Sequence, residues 1–180
     1  MLYRNKQLID RLYTIEGKAE IVNDMIVVDS PTGGKPGRAA AAIYRELYKY
    51  EVANRDAGYA IADNVAFLVD LPNRQSFCPD AAWFTGEMTM KFLEGAPVFA
   101  AEVRSEGDYR PAAESRIAAK RDDYFAAGTL VIWDVDLLGD DVVRVYTPES
   151  RTTPRVYKRG ESAEAEPAVP GWSMPVDEMF

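Results

Sequence analysis

The sequence predicts an α/β domain in which a central mixed β-sheet is flanked by helices and extended by β-hairpins. Three observations carry this. Short β-branched and aromatic runs come in pairs over residues 19–29, 58–70 and 130–147, each pair broken by turn-forming residues. Two longer stretches, residues 38–54 and 111–127, show helical spacing of apolar residues. Between them, V-F-A-A-E-V-R-S at residues 98–105 is apolar without alternation, the pattern of a strand covered on both faces. No repeat or linker divides the 180 residues, so a single domain over 1–180 is expected. A chain of that length buries roughly two-thirds of its unfolded surface without disulfides or structural metal.

In chain order, Leu8, Ile9 and Leu12 mark a short amphipathic helix over residues 3–14. A-E-I-V-N-D-M-I-V-V then reads as a hairpin turning at Asn23 and Asp24. S-P-T-G-G-K-P-G is a turn-rich lead-in to the long helix; Lys35 is followed by Pro36, so it does not end as a phosphate loop does. Two strands turning at Asp63 and Asn64 follow, then a loop, then a strand entered through Pro79, which sets an extended start. A short helix is expected over residues 85–95. The helix after the 98–105 strand opens at Pro111 and stops at Gly128. Ile117, Tyr124 and Phe125 mark its buried face, and Lys120 shares that face; Arg121, Asp122 and Asp123 are expected as surface charges. T-L-V-I-W-D-V-D and V-V-R-V-Y form a further hairpin, and R-V-Y-K another strand. E-S-A-E-A-E reads as a solvated loop, and P-G-W-S-M-P-V-D-E-M-F as a turn and short helix burying Trp172 and Phe180.

Two absences narrow the chemistry. There is no histidine, which excludes Ser-His-Asp and Cys-His catalysis and His-ligated zinc. Cys78 is the one cysteine, so an intramolecular disulfide and a thiolate zinc site are excluded as well, and a reducing compartment is expected. A metal in this chain would be held by oxygen, which favours magnesium, manganese or calcium. The net charge of −8, from 21 basic and 29 acidic residues, counts against a non-specific nucleic-acid binder with a basic face. No apolar run approaches a membrane span, and the expectation is a soluble, cytoplasmic protein.

Against that background, three positions stand out. Asp80 follows Pro79 at a strand start, Glu102 interrupts an otherwise apolar strand, and Lys120 lies on the inward face of the following helix. A carboxylate in a buried strand is costly unless it pairs, binds metal or does chemistry, so Glu102 is either a structural ion pair or functional. Glu20, just ahead of the first β-branched run, reads on position alone as a solvated strand-edge carboxylate.

The ordered set A-E-I-V-N-D-M-I-V, S-P-T-G-G, P-D-A-A-W, A-E-V-R-S, K-R-D-D-Y-F-A-A-G-T-L-V-I-W-D-V-D and P-G-W-S-M-P-V-D-E-M-F resembles the bacterial Uma-type restriction-endonuclease family, within the PD-(D/E)XK nuclease superfamily. The resemblance spans nearly the whole chain and implies a restriction-endonuclease-like fold. It further implies Asp80 and Glu102 as a magnesium-binding pair, manganese being an alternative, with Glu20 as an additional acid near the metal and Lys120 as the catalytic lysine. Arg104 stands two residues beyond Glu102, so the plain E-x-K spelling is not met. Asp24 and Met25 stand where relatives carry a glycine and an acid, and Pro36 where they carry a histidine. The activity implied is metal-dependent hydrolysis of DNA phosphodiester bonds by a possible homodimer. The alternative is a catalytically inactive nucleic-acid- or protein-binding domain on the same fold.

Overall fold

A computed structural model describes residues 5–180. The elements run α1 (Lys6–Leu12), β1 (Ala19–Val22), β2 (Met25–Val28), α2 (Gly34–Ala53), β3 (Tyr59–Ala62), β4 (Phe67–Leu68), β5 (Ser76–Phe77), β6 (Ala81–Phe84), β7 (Leu93–Glu94) and β8 (Phe99–Val103). They continue with α3 (Ala113–Ala126), β9 (Val131–Val135), β10 (Val143–Tyr146), β11 (Arg155–Tyr157), β12 (Ser162–Glu164) and β13 (Ser173–Pro175). Part of the expected first helix, residues 3 and 4, lies outside the described residues.

Six strands form the central sheet in the order β11-β10-β9-β8-β6-β3, and only β8 and β9 run parallel. A parallel pair cannot be joined by a tight turn. Here α3 makes the crossover, ending where Gly128 takes φ +104, a left-handed conformation that costs glycine little. The mixed sheet is therefore as expected.

Strand parity divides the side chains into two cores. Ala81, Trp83, Phe99, Ala101, Val103, Val131, Trp133 and Val135 point to one face, where Ala39, Ile43 and Leu47 of α2 and the C-terminal Trp172 and Met174 cover them. Their even-numbered neighbours Ala82, Phe84, Ala100 and Ile132 point to the other face and meet Tyr124 and Phe125 of α3 with Phe67 and Phe77. A third cluster joins Ile9 and Leu12 of α1 to Ile21, Ala66 and Leu68. Both faces of β8 are covered, which is why its sequence shows no alternation.

The β1–β2 hairpin forms with Ile21 opposite Ile26, and its turn residues Asn23 and Asp24 take φ +49 and +56. Elsewhere the structure corrects the expectation. Residues 58–70 are not a hairpin: β3 pairs with β6, while β4 joins β5 and β7 in a separate small sheet. Residues 85–95 hold no helix, because Leu93 is drawn into the parallel pairing with β4 and buried. The acidic stretch after residue 160 is strand β12, paired to β13, with Ala163 and Ala165 fully buried. Trp172 is buried as expected, but Phe180 is exposed and lies under the Arg159 guanidinium.

Candidate active site

Parity brings the candidate acids together. Asp80 precedes Ala81, and Ala81 pairs with Ala101, so continuing that antiparallel register by one step sets Asp80 opposite Glu102. Both are even-numbered, so both leave the sheet on the α3 face. Lys120 of α3 hangs above them and gives an ion pair to Glu102 Oε1 at 2.8 Å and to Glu20 Oε1 at 2.9 Å. The hairpin thus delivers Glu20, the central sheet Asp80 and Glu102, and the crossover helix Lys120. The four residues singled out from the sequence share one site.

Glu20 is not the solvated carboxylate its position suggests. It is buried, and its Oε2 accepts from Arg74 Nη1 at 2.6 Å while Oε1 accepts from the Cys78 backbone N–H at 2.8 Å. Burial disfavours its ionised form, but Lys120 and Arg74 outweigh that and hold its pKa down at about 2. Arg74 is itself clamped from the other side by Asp123 Oδ2 at 2.8 Å, and Asn73 Nδ2 donates to Asp123 Oδ1. Asp123 is therefore a buried member of the site and not the surface charge expected. Its signal was available: Ile117, Lys120 and Asp123 repeat every three residues along one side of α3.

Glu102 behaves oppositely. Burial raises its pKa, and the charges of Asp80 and Glu20 add to that, with Lys120 and Lys18 opposing. The Tyr124 hydroxyl donates to Glu102 Oε1 at 2.6 Å, and the Tyr124 ring is stacked on Phe77 at 3.9 Å. Glu102 nonetheless keeps 25% of its side chain exposed, against 7% for Glu20. It can meet a ligand from solution.

Sequence reasoning missed Lys18. Its Nζ donates to Asp80 Oδ1 and reaches Asp63 Oδ1 at 2.9 Å. Asp80 Oδ2 accepts from the Val103 N–H at 2.7 Å, which fixes the carboxylate on the β8 edge. Burial works against the charged forms of Lys18 and Lys120, yet the surrounding carboxylates raise both pKa values, so both stay protonated through the neutral range. No local pattern marks Lys18, which meets Asp80 across 62 residues of chain.

The donor set fits a hard divalent cation. Glu20, Asp29, Asp63, Asp80, Glu102 and Asp123 stand against Lys18, Arg74 and Lys120, leaving three excess negative charges around the cleft. Asp29 shows the effect: burial and the nearby Glu20 and Asp80 raise its pKa. Among the described residues no three acidic or cysteine side chains are arranged together as a metal-binding group, and Lys18 and Lys120 are paired to Asp80 and Glu102. Asp80 and Glu102 supply two oxygen donors side by side, and Mg²⁺ is commonly held by one or two carboxylates, its own waters and substrate phosphates.

This fold, with its acids on the interior strand β8 and at the start of β6 in a mixed sheet and a lysine on the crossover helix, is the restriction-endonuclease-like one. The whole chain resembles the crystal structure of a "putative nuclease belonging to DUF820" from Anabaena variabilis ATCC 29413, with a TM-score of 0.73, 16% identity and 96% of each chain covered. The model of the family Uma2, described as "Putative restriction endonuclease", matches residues 7–177, and the chain belongs to that family. No curated protein matches it. Among the described residues no helix is long and apolar enough to cross a membrane.

Proposed function

We propose that the protein is a divalent-metal-dependent endonuclease that hydrolyses phosphodiester bonds of DNA at the Asp80–Glu102 cleft. The observation that carries this is the convergence of Glu20, Asp80, Glu102 and Lys120 from four separate elements onto one partly exposed, net-acidic site. Family membership supports the same class of chemistry.

A phosphodiester carries negative charge and is repelled by a cleft with excess carboxylates unless a cation intervenes. Asp80 and Glu102 would hold Mg²⁺ or Mn²⁺, which supplies Lewis acidity and a more acidic bound water. Glu20, whose oxygens are engaged by Arg74, Lys120 and the Cys78 N–H, would serve a bound metal chiefly by aiming Lys120 and less as a direct ligand. Lys120, whose ammonium is favoured by Glu102 and Glu20, would orient the attacking water and donate to the charge that builds on the phosphate. Tyr124 fixes the Glu102 carboxylate by its hydroxyl. Lys18 holds Asp80 in register and neutralises it until the cation arrives.

The test is cleavage of supercoiled plasmid and single-stranded DNA with Mg²⁺ and then Mn²⁺. Cutting that EDTA abolishes is expected. A folded protein that binds DNA and cuts neither substrate with either metal would favour the non-catalytic binding domain.

A further inference from the structure

We infer that the cleft beside the candidate active site, walled by Arg104, Arg110 and Arg144, is a phosphate subsite for the nucleic-acid backbone next to the bond being cut. The inference rests on the nucleic-acid reading of the Asp80–Glu102 site.

The same cross-strand row that makes the active site continues into this cleft. Glu102 pairs with Asp134 of β9, and Asp134 with Arg144 of β10. Neighbouring strands lie about 4.8 Å apart, so Arg144 sits about 10 Å from Glu102 on the same face. Arg104 follows Glu102 by two residues and leaves that face as well.

The cleft encloses about 540 Å³ and is bounded by Tyr109, Glu114, Asp136 and Tyr146 besides the three arginines. That is room for a phosphate with its sugar. Arg104 is buried and held in a two-pronged bond by Asp134, Nε to Oδ1 and Nη2 to Oδ2, each at 2.7 Å. Glu114 accepts from its Nη1 and Nη2 on the other side, so the guanidinium is fixed as a floor already paired to carboxylates, and the donors open to a phosphate are those of Arg110 and Arg144. Arg144 Nη1 meets Asp136 Oδ2 only at 3.5 Å, the outer limit of a hydrogen bond, while Asp136 Oδ1 accepts from the Tyr109 hydroxyl and the Leu138 and Gly139 N–H groups. Arg110 is exposed and has no carboxylate partner among the described residues.

A fourth arginine, Arg121, lies 3.8 Å over the Tyr146 ring, and its buried Nε has no hydrogen-bond partner among the described residues. Three arginines thus meet three carboxylates, Asp134, Asp136 and Glu114, at this cleft, with Arg121 stacked on the Tyr146 that lines it, in a chain whose net charge is −8. Guanidinium donors in a fixed fork suit phosphate oxygens better than any other common biological anion except carboxylate. The neighbouring chemistry favours phosphate.

The test is fluorescence anisotropy of labelled single-stranded and duplex oligonucleotides with the wild-type protein in Ca²⁺ in place of Mg²⁺, so that the acidic cleft carries a cation, with a gel showing the oligonucleotides intact. Arg110→Ala and Arg144→Gln are each expected to weaken binding about tenfold and to lower its salt dependence by about one charge. Arg159→Ala, on the distant Asp177 contact, serves as control and leaves binding unchanged. Inorganic phosphate should compete. Unchanged affinity and salt slope in both cleft variants overturn the subsite, as does failure of the wild type to bind either oligonucleotide. Binding of inorganic phosphate alone would make the cleft a small-anion site and overturn it too. Cleavage by the same proteins separates the two claims: Arg110-dependent binding without any cutting overturns the nuclease and leaves the subsite standing.

Discussion

Lys18 and Asp80 form an ion pair inside the cleft, with 18% and 16% of their side chains exposed, and this pair occupies the carboxylate proposed to hold the metal. An ammonium and a divalent cation therefore compete for Asp80. Lys18→Met should bind Mg²⁺ about tenfold more tightly, since a part-buried charge pair of this kind is worth on the order of 1–2 kcal/mol. Calorimetric titration of wild type and variant checks this. Equal affinity would mean that Lys18 does not guard the metal position.

Glu20 and Glu102 give opposite dependences on pH. Glu20 ionises at about 2 in the fold against an ordinary 4.5, so its stabilisation is complete above the ordinary value and is lost as pH falls from 4.5 through 2. Glu102 has a raised pKa, so its ionisation costs stability as pH rises beyond the ordinary carboxylate range. Thermal unfolding should show Glu20→Gln less stable than wild type at pH 6 and less sensitive to acid below pH 4.5. Glu102→Gln should gain stability relative to wild type at pH 8 compared with pH 4.

Tyr124→Phe removes one hydrogen bond to Glu102 and leaves the stacking on Phe77 intact. The cost in stability should be about 1–2 kcal/mol. Loss of that donor also disfavours the Glu102 carboxylate, so the acid limb of the cleavage–pH profile should move to higher pH. A lower rate with an unmoved limb would assign Tyr124 to packing alone.

At the first hairpin Asp24 holds φ +56, a conformation in which glycine carries no side-chain penalty. Asp24→Gly should raise stability by about 0.5–1 kcal/mol and leave metal binding unchanged. Urea unfolding measures it.

The sequence carried the central sheet, the crossover helix and three residues of the candidate site, because each depended on local signals: a buried strand with one acid, a proline-started strand, a lysine on an inward helix face. Glu20 entered through the family resemblance alone, since its position reads as a solvated strand edge. What it did not carry was long-range. Lys18, Arg74 and Asp63 join the site through contacts spanning tens of residues, and no spacing announces them. The failed helix at 85–95 shows tertiary pairing with β4 overriding local preference. The missed strand β12 had its signal in Ala163 and Ala165, small apolar residues alternating with charges, which composition alone presents as a solvated run. The misread hairpin at 58–70 failed because adjacent strands went to different sheets.

The most direct measurement is DNA cleavage with Mg²⁺ by wild type, Asp80→Asn and Lys120→Ala side by side, with circular dichroism showing all three folded. Cutting by wild type, with both variants reduced at least about a thousandfold, is the expected result. Undiminished cutting by both variants would contradict an Asp80–Glu102–Lys120 active site.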